Sequence, residues 1–261
     1  MQQNDIVYYT CYFGGEFNYS KLIPPLPSEK YDCYYFTNNK DIFEKLANTK
    51  FIRIFVTDVP IYDDHVLDSM ASKFIRCLPH KIDLLKKYKY WCWFDSKLQV
   101  FSESVDQMIY KRSSGAFLKR KNGIFSESLA EENKVSTEEN KQIKEEITIA
   151  FSLHESSHSS VWDEYNSCIN VDKYNSEKDK YKKYIEDKIL EGYSDNTENF
   201  CCSSFSIRKN IPIVHQFNEL WYNEILECGI ECQISLHFLM QTYASFIKIL
   251  PNKYCWKYFY E

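Results

Sequence analysis

The first hundred residues alternate short, nearly all-apolar runs with polar breaks. "DIVYYTCYF" (5–13) is rich in β-branched and aromatic residues and ends at Gly14-Gly15, which predicts a buried strand entering a tight turn. "YDCYYFTNN" (31–39) repeats the design and stops at Thr37-Asn38-Asn39, and "FIRIFVTDVP" (51–60) is a third strand closed by Pro60. The period then changes. Val66, Met70, Phe74 and Cys77 fall three and four apart, predicting a helix from His65 to Cys77 that Pro79 ends or kinks. A short helical turn, "HKIDLLKKY", leads into the aromatic strand "YWCWF", after which come Asp95, Ser96 and Lys97. Strands apolar throughout are buried on both faces, so the pattern predicts an α/β fold: a mixed, mainly parallel sheet flanked by helices.

The second half continues the alternation. Residues 119–147 are highly charged with little apolar period and read as a solvent-facing insertion. "ITIAFSLH" (147–154) is a strand ending in His154, and 159–169 starts a helix. "SEKDKYKKYIEDKILEGY" is an amphipathic helix with Ser176 as N-cap and Gly192 as stop. A strand over 201–210, a helix over 211–229 and another over 233–247 complete the chain. With no internal repeat, 1–261 reads as a single domain carrying the 119–147 insertion.

Composition narrows the classes. A formal charge of -5 without a basic arm argues against nucleic-acid binding. No apolar run reaches the roughly 18 residues of a membrane span. The 10 cysteines form no CxxC pair, and the start "MQQNDIVYYTCYF" has no basic leader. They are therefore expected to be reduced thiols in a cytoplasmic protein.

In open parallel sheets ligands sit beyond the carboxyl ends of the strands. Here those ends are Tyr12-Phe13-Gly14, Thr37-Asn38 and Asp95-Ser96-Lys97. An acid at the end of an apolar strand needs a partner, because moving a carboxylate toward low dielectric costs several kcal/mol. Asp95 either pairs with Lys97 or caps amides, or it binds a divalent metal or a ligand hydroxyl. A strand ending in D-x-D is the usual metal–diphosphate device of nucleotide-sugar enzymes. Lys97 stands where its second acid would be. A lysine cannot ligate a metal while protonated, but it neutralises a diphosphate directly. A strand-tip acid contributes little to a core, so Asp95→Ala is expected to abolish activity and leave the fold intact.

The segment "KFIRCLPHKIDLLKKYKYWCWFDSKLQV" resembles the core of GT-A-like glycosyltransferases of the plant mucilage- and turgor-related type and their bacterial relatives. Lys73, Pro79, His80, Lys81, Asp95, Lys97 and Leu98 fall on that pattern. Further segments resemble it in order: His154 with Trp162-Asp163-Glu164, then Ser203-Ser204-Phe205 with Ile207-Arg208, then Trp221 with Glu224, and Gln233-Ile234-Ser235. The resemblance implies a GT-A-like (Rossmann-like) fold. It also implies transfer of a sugar from a nucleoside-diphosphate sugar, UDP-sugar favoured, to an acceptor hydroxyl on a glycan or protein. Thr10, Cys11, Tyr12, Thr37 and Asn38 would then hold the nucleotide. Lys73, Arg76, Lys97, Arg208 and Gln233 would serve the diphosphate and sugar, or Arg208 would instead pair with Glu224 as scaffold. Asp95 would sit at the diphosphate, with or without Mn or Mg, and His154 and Glu164 would bind sugar or exchange protons. His80 is expected to cap or pack and Trp221 to lie in the core. Cys232 stands where the family usually has Asp, so that residue's role is missing or passes to Glu231. This departure and the lone acid motivate an alternative, a nucleotide-sugar-binding or scaffold protein of the same fold. A third option is a peripheral membrane protein using "FIKILPNKYCWKYFYE", a segment expected instead to pack on the domain. The oligomeric state is not readable.

Overall fold

The computed structural model describes residues 5–15, 22–110, 147–156, 158–251, 253 and 255–258. The charged 119–147 stretch, Ile147 apart, lies outside the described residues. The elements run β1 (Ile6–Tyr12), β2 (Asp32–Thr37), α1 (Lys40–Lys45), β3 (Ile52–Phe55), α2 (His65–Cys77), β4 (Tyr90–Phe94), β5 (Leu98–Val100) and α3 (Ser102–Tyr110). They continue as β6 (Ile149–Leu153), α4 (Val161–Cys168), α5 (Asp172–Asn175), α6 (Lys178–Leu190), β7 (Cys201–Lys209), α7 (Pro212–Cys228), α8 (Cys232–Thr242), β8 (Ile247–Leu250) and β9 (Trp256–Tyr258).

Seven strands form one sheet in the order β3-β2-β1-β4-β7-β6-β8, and β5 and β9 pair separately. Every neighbouring pair in the large sheet is parallel except those made by β7, which runs against both β4 and β6. The sheet is thus mixed and mainly parallel, as the apolar strands predict. Strand alternation divides the core. Val7, Tyr9, Trp91 and Trp93 face α2 and α7 through Ile75, Phe217 and Trp221. Ile6, Tyr8, Tyr90 and Phe94 face Ile42 of α1 and Val105 of α3 on the other side. A third cluster joins α4, α6 and α8 through Val161, Tyr181, Ile185, Ile234 and Phe238. Trp256 of β9 is buried with the second cluster, so the part of the aromatic C-terminal segment that is described packs on the domain.

Three local expectations change. The 176–193 helix starts at Lys178 with Glu177 as N-cap, while Ser176 closes α5. A tertiary bond holds this boundary: the Glu177 carboxylate accepts from the Ile230 amide (2.8 Å) as well as from the Tyr181 hydroxyl of its own helix (3.0 Å). The final helix stops at Thr242, and Ile247–Leu250 instead joins the sheet beside β6. A four-residue apolar run carries no period of its own, so its sheet partner decides its form. Between β2 and β3, α1 is too short to show a helical period: six residues with Ile42 as the buried apolar member. Gly14 ends β1 at φ +123°, and a Cβ there would lie 2.8 Å from Asp68 Oδ2, so the turn requires glycine.

Candidate functional site

Because β1, β2, β4 and β6 run in one direction, their carboxyl ends share one edge of the sheet. Antiparallel β7 contributes its opposite end, Cys201 to Ser204, to that same edge. Asp95 leaves β4 there, its amide donating to the Ser204 carbonyl (2.8 Å). One carboxylate oxygen is ion-paired with the Arg76 guanidinium. The side chains are 22% and 8% exposed, so the pair is mostly withdrawn from water. Arg76 sits 4.8 Å from the Trp93 ring centre and donates to Cys232 Sγ (2.8 Å) and Ser203 Oγ (3.3 Å). Lys73, one turn earlier on α2, donates to the same sulfur at 3.2 Å. Burial alone would push the Asp95 carboxyl up; the charges of Arg76, Lys97 and Lys73 outweigh it and hold it below the ordinary value.

Asp95 thus takes Arg76, rather than the neighbouring Lys97, as its direct partner. Lys97 is exposed, with its ammonium 5.6 Å from the Tyr258 ring centre. A fourth cation comes from α5, which the sequence gives no reason to place here. Burial of its ammonium end, and then the Lys73 charge, bring the Lys173 pKa down to about 8, although the residue as a whole is exposed. Glu231, Asp95 and Lys97 also act on it. The Lys173 carbonyl lies 2.8 Å from His65 Nε2, tying α5 to the start of α2. A carboxylate ion-paired with Arg76 and acted on by the Lys73 and Lys97 charges does not suit a divalent metal, which needs several oxygen ligands. Such cations fit an anion.

The tips of β1 and β2 are stitched together. Gly14 N–H donates to Asn38 Oδ1 (3.0 Å), and Asn38 Nδ2 donates to the carbonyls of Val59 (3.2 Å) and Pro60 (2.9 Å). Asn39 donates to the Gly14 carbonyl (3.0 Å) and caps α1 by accepting from Ile42 (3.1 Å). Thr37 Oγ1 accepts from the Asn39 amide (3.1 Å). Thr37 and Asn38 are therefore occupied by the loop itself. Cys11 is buried, and burial pushes its thiol up to about 12. Thr10 is fully buried with its hydroxyl unpartnered among the described residues, while Tyr12 is half-buried at the rim.

Arg208 lies toward the other end of β7, opposite Trp91. It is fully buried and donates to the Cys77 carbonyl (3.1 Å), Asn218 Oδ1 (2.7 Å), the Tyr9 hydroxyl and the Arg76 carbonyl. It closes the C-terminal end of α2 from inside the core, where a cation complements the helix dipole. Glu224 is elsewhere, accepting from Lys188 (3.1 Å). His80 stacks on His215 with ring centres 4.7 Å apart, and Trp221 is fully buried, both packing as expected.

A second polar group adjoins the first. Gln233 accepts from the Ser203 amide (3.1 Å) and donates to Glu164 Oε1 (2.7 Å). The other Glu164 oxygen faces His158 Nδ1 at 3.1 Å and His154 Nε2 at 3.7 Å. Burial, with the Glu231 charge added, raises the Glu164 carboxyl to about 8. Glu231 is N-cap of α8, accepting from the Gln233 amide (3.1 Å). Beside this group lies an open cavity of about 530 Å³ lined by His158, Ser159, Asp163, Asn166, Ser167 and Asn170. A second, of about 410 Å³, lies between β3 and α2 and includes Phe13, Phe36 and Ile75. Asp95 lines neither. Sequence reasoning misses His158 and Lys173; their only signal is a serine-rich loop and a common lysine, whereas Ser203 falls on the segment that carries the resemblance.

No family model matches the chain, and no curated protein matches it. Among solved structures it is similar to mouse xyloside xylosyltransferase 1 in its apo form, with a TM-score of 0.48 and 9% identity, over 94% of this chain and 85% of that one.

Proposed function

We propose that the protein is a glycosyltransferase, moving a sugar from a nucleoside-diphosphate sugar, UDP-sugar favoured, to an acceptor hydroxyl on a glycan or protein. The observation that carries this reading is the pairing of Arg76 with Asp95 at the carboxyl edge of a mainly parallel sheet, with Lys73 on the same Cys232 sulfur and the charges of Lys97 and Lys173 acting on the group. In such a transfer the barrier lies in negative charge growing on the leaving diphosphate. Cations already held in place stabilise that charge without reorganising. Asp95 fixes Arg76 in position and keeps the cations from repelling one another when the site is empty. Lys97, exposed at the strand tip, reaches an incoming diphosphate first, and Lys173, its ammonium end withdrawn from water, binds the anion behind it. This chain supplies ammonium and guanidinium groups where D-x-D enzymes supply a metal, so turnover is expected without added manganese. Ten free cysteines suit a reducing, cytosolic compartment.

The test is release of free nucleotide from a panel of UDP- and GDP-sugars, with and without acceptor. Lys97→Ala and Lys173→Ala should each lower release at least tenfold while leaving thermal unfolding unchanged. Nucleotide binding without release from any donor favours the binding or scaffold protein. Neither binding nor release refutes both.

A further inference from the structure

We infer that His154, His158 and Glu164 form a site for one imidazole-preferring divalent cation of the zinc type, separate from the cation cluster at Asp95. Among the described residues these three are the group whose ligand atoms come together, all within 4.8 Å of one another. The spacings suit one ion. Zinc binds nitrogen and oxygen at about 2.0–2.2 Å, so two ligands on a tetrahedral ion lie about 3.3 Å apart. Glu164 Oε2 is 3.1 Å from His158 Nδ1 and 3.7 Å from His154 Nε2.

The nearest of these pairs is not simply a hydrogen bond. At 3.1 Å from the carboxylate, His158 Nδ1 is enclosed and has no hydrogen-bond partner among the described residues. A proton shared by two atoms lies near the line joining them. A metal lies off that line, where the two lone pairs converge. The second arrangement accounts for a close, buried nitrogen–oxygen pair that fails hydrogen-bond geometry.

The surroundings also orient the trio. Glu164 Oε1 is held by Gln233 Nε2 (2.7 Å). Phe200 packs edge-on against both imidazoles, with centres 5.7 and 5.6 Å away. Ser167 Oγ lies 3.5 Å from His158 Nε2. Partners of this kind fix ligand tautomer and direction in metal sites. One contact must change: the Ser156 amide donates to His154 Nδ1 (3.1 Å), which leaves the proton on Nε2. Ligation through Nε2 moves that proton to Nδ1 and turns the exposed Ser156 amide away, and Glu164, whose carboxyl burial keeps protonated, releases its proton to water as it ligates. Two imidazoles and one carboxylate select zinc, cobalt or nickel over magnesium or calcium. Three protein ligands leave a fourth position, and the adjoining cavity at His158 gives water or a substrate oxygen access to it.

The experiment titrates the chelator-treated full chain with Co²⁺, read by visible absorption, and with Zn²⁺ by calorimetry. The expected result is one equivalent bound, a d–d band of four- or five-coordinate cobalt, displacement by zinc and none by magnesium. His158→Ala and Glu164→Gln should each weaken binding at least tenfold, with far-ultraviolet dichroism showing the fold retained; His154→Gln replaces whichever of them fails to fold. Absence of saturable one-equivalent binding overturns the inference. So does binding that survives His158→Ala, or a near-ultraviolet thiolate band in place of the nitrogen–oxygen spectrum.

Discussion

Replacing Asp95 by Ala should destabilise the protein as well as silence it, against the expectation that a strand-tip acid is expendable. Its partner Arg76 is 8% exposed and would keep its charge without a carboxylate, left with Ser203 and the Cys232 sulfur in direct contact. Removing one member of a buried pair costs about 3–5 kcal/mol. The Asp95 side chain is 22% exposed, so water can enter the vacated space, and about 2–3 kcal/mol is the better expectation. Arg76→Leu in the Asp95→Ala background should recover part of that loss, because no stranded charge remains. The pH dependence has a definite sign. Asp95 has its folded pKa depressed, so its contribution is fully present above the unfolded value of about 3.9 and is lost as pH falls through the folded value. The gap between wild type and Asp95→Ala is therefore wide at pH 7 and narrower at pH 3. Urea unfolding of the two single variants and the double variant at both pH values measures this. A loss below about 0.5 kcal/mol at pH 7, strict additivity in the double variant, or an equal gap at both pH values would refute the reasoning.

Three further outcomes follow from the same contacts. Pyrophosphate affinity should fall as pH rises through about 8, where the Lys173 ammonium loses its proton, and the dependence should flatten in Lys173→Met; calorimetry from pH 7 to 9 reads it, and equal slopes would count against Lys173 facing the anion. Arg208→Lys should cost about 3 kcal/mol in thermal unfolding, since one ammonium cannot serve two carbonyls, an amide oxygen and a hydroxyl at once, and near-normal stability would contradict the core role. Gly229→Ala should cost about 1–3 kcal/mol: the residue has φ +119°, and the new Cβ would meet Tyr181 Cε1 at 2.6 Å and Glu177 Oε2 at 2.8 Å.

The apolar runs over β1, β2 and β4 declared their own conformation. Residues buried on both faces and bounded by Gly, Asn or Pro have few alternatives, so these strands, α2 and the polar tips beyond them were legible along the chain. So was Asp95, because an acid closing an aromatic strand contradicts its surroundings unless something answers it. What answers it was not legible. Arg76 lies 19 positions before Asp95 and 156 before Cys232, and α2, β4 and α8 bring them together only through packing. The same limit hid Lys173 and His158, ordinary residues until α5 and the loop before α4 carry them to the shared edge. It also left the role of Arg208 open: a sequence shows that a guanidinium is present but not which end of its strand faces the ligand edge. That depends on strand direction, which pairing partners far along the chain determine. Local pattern fixes which residues are buried and in what element; which charges meet is decided by contacts between segments whose spacing carries no period.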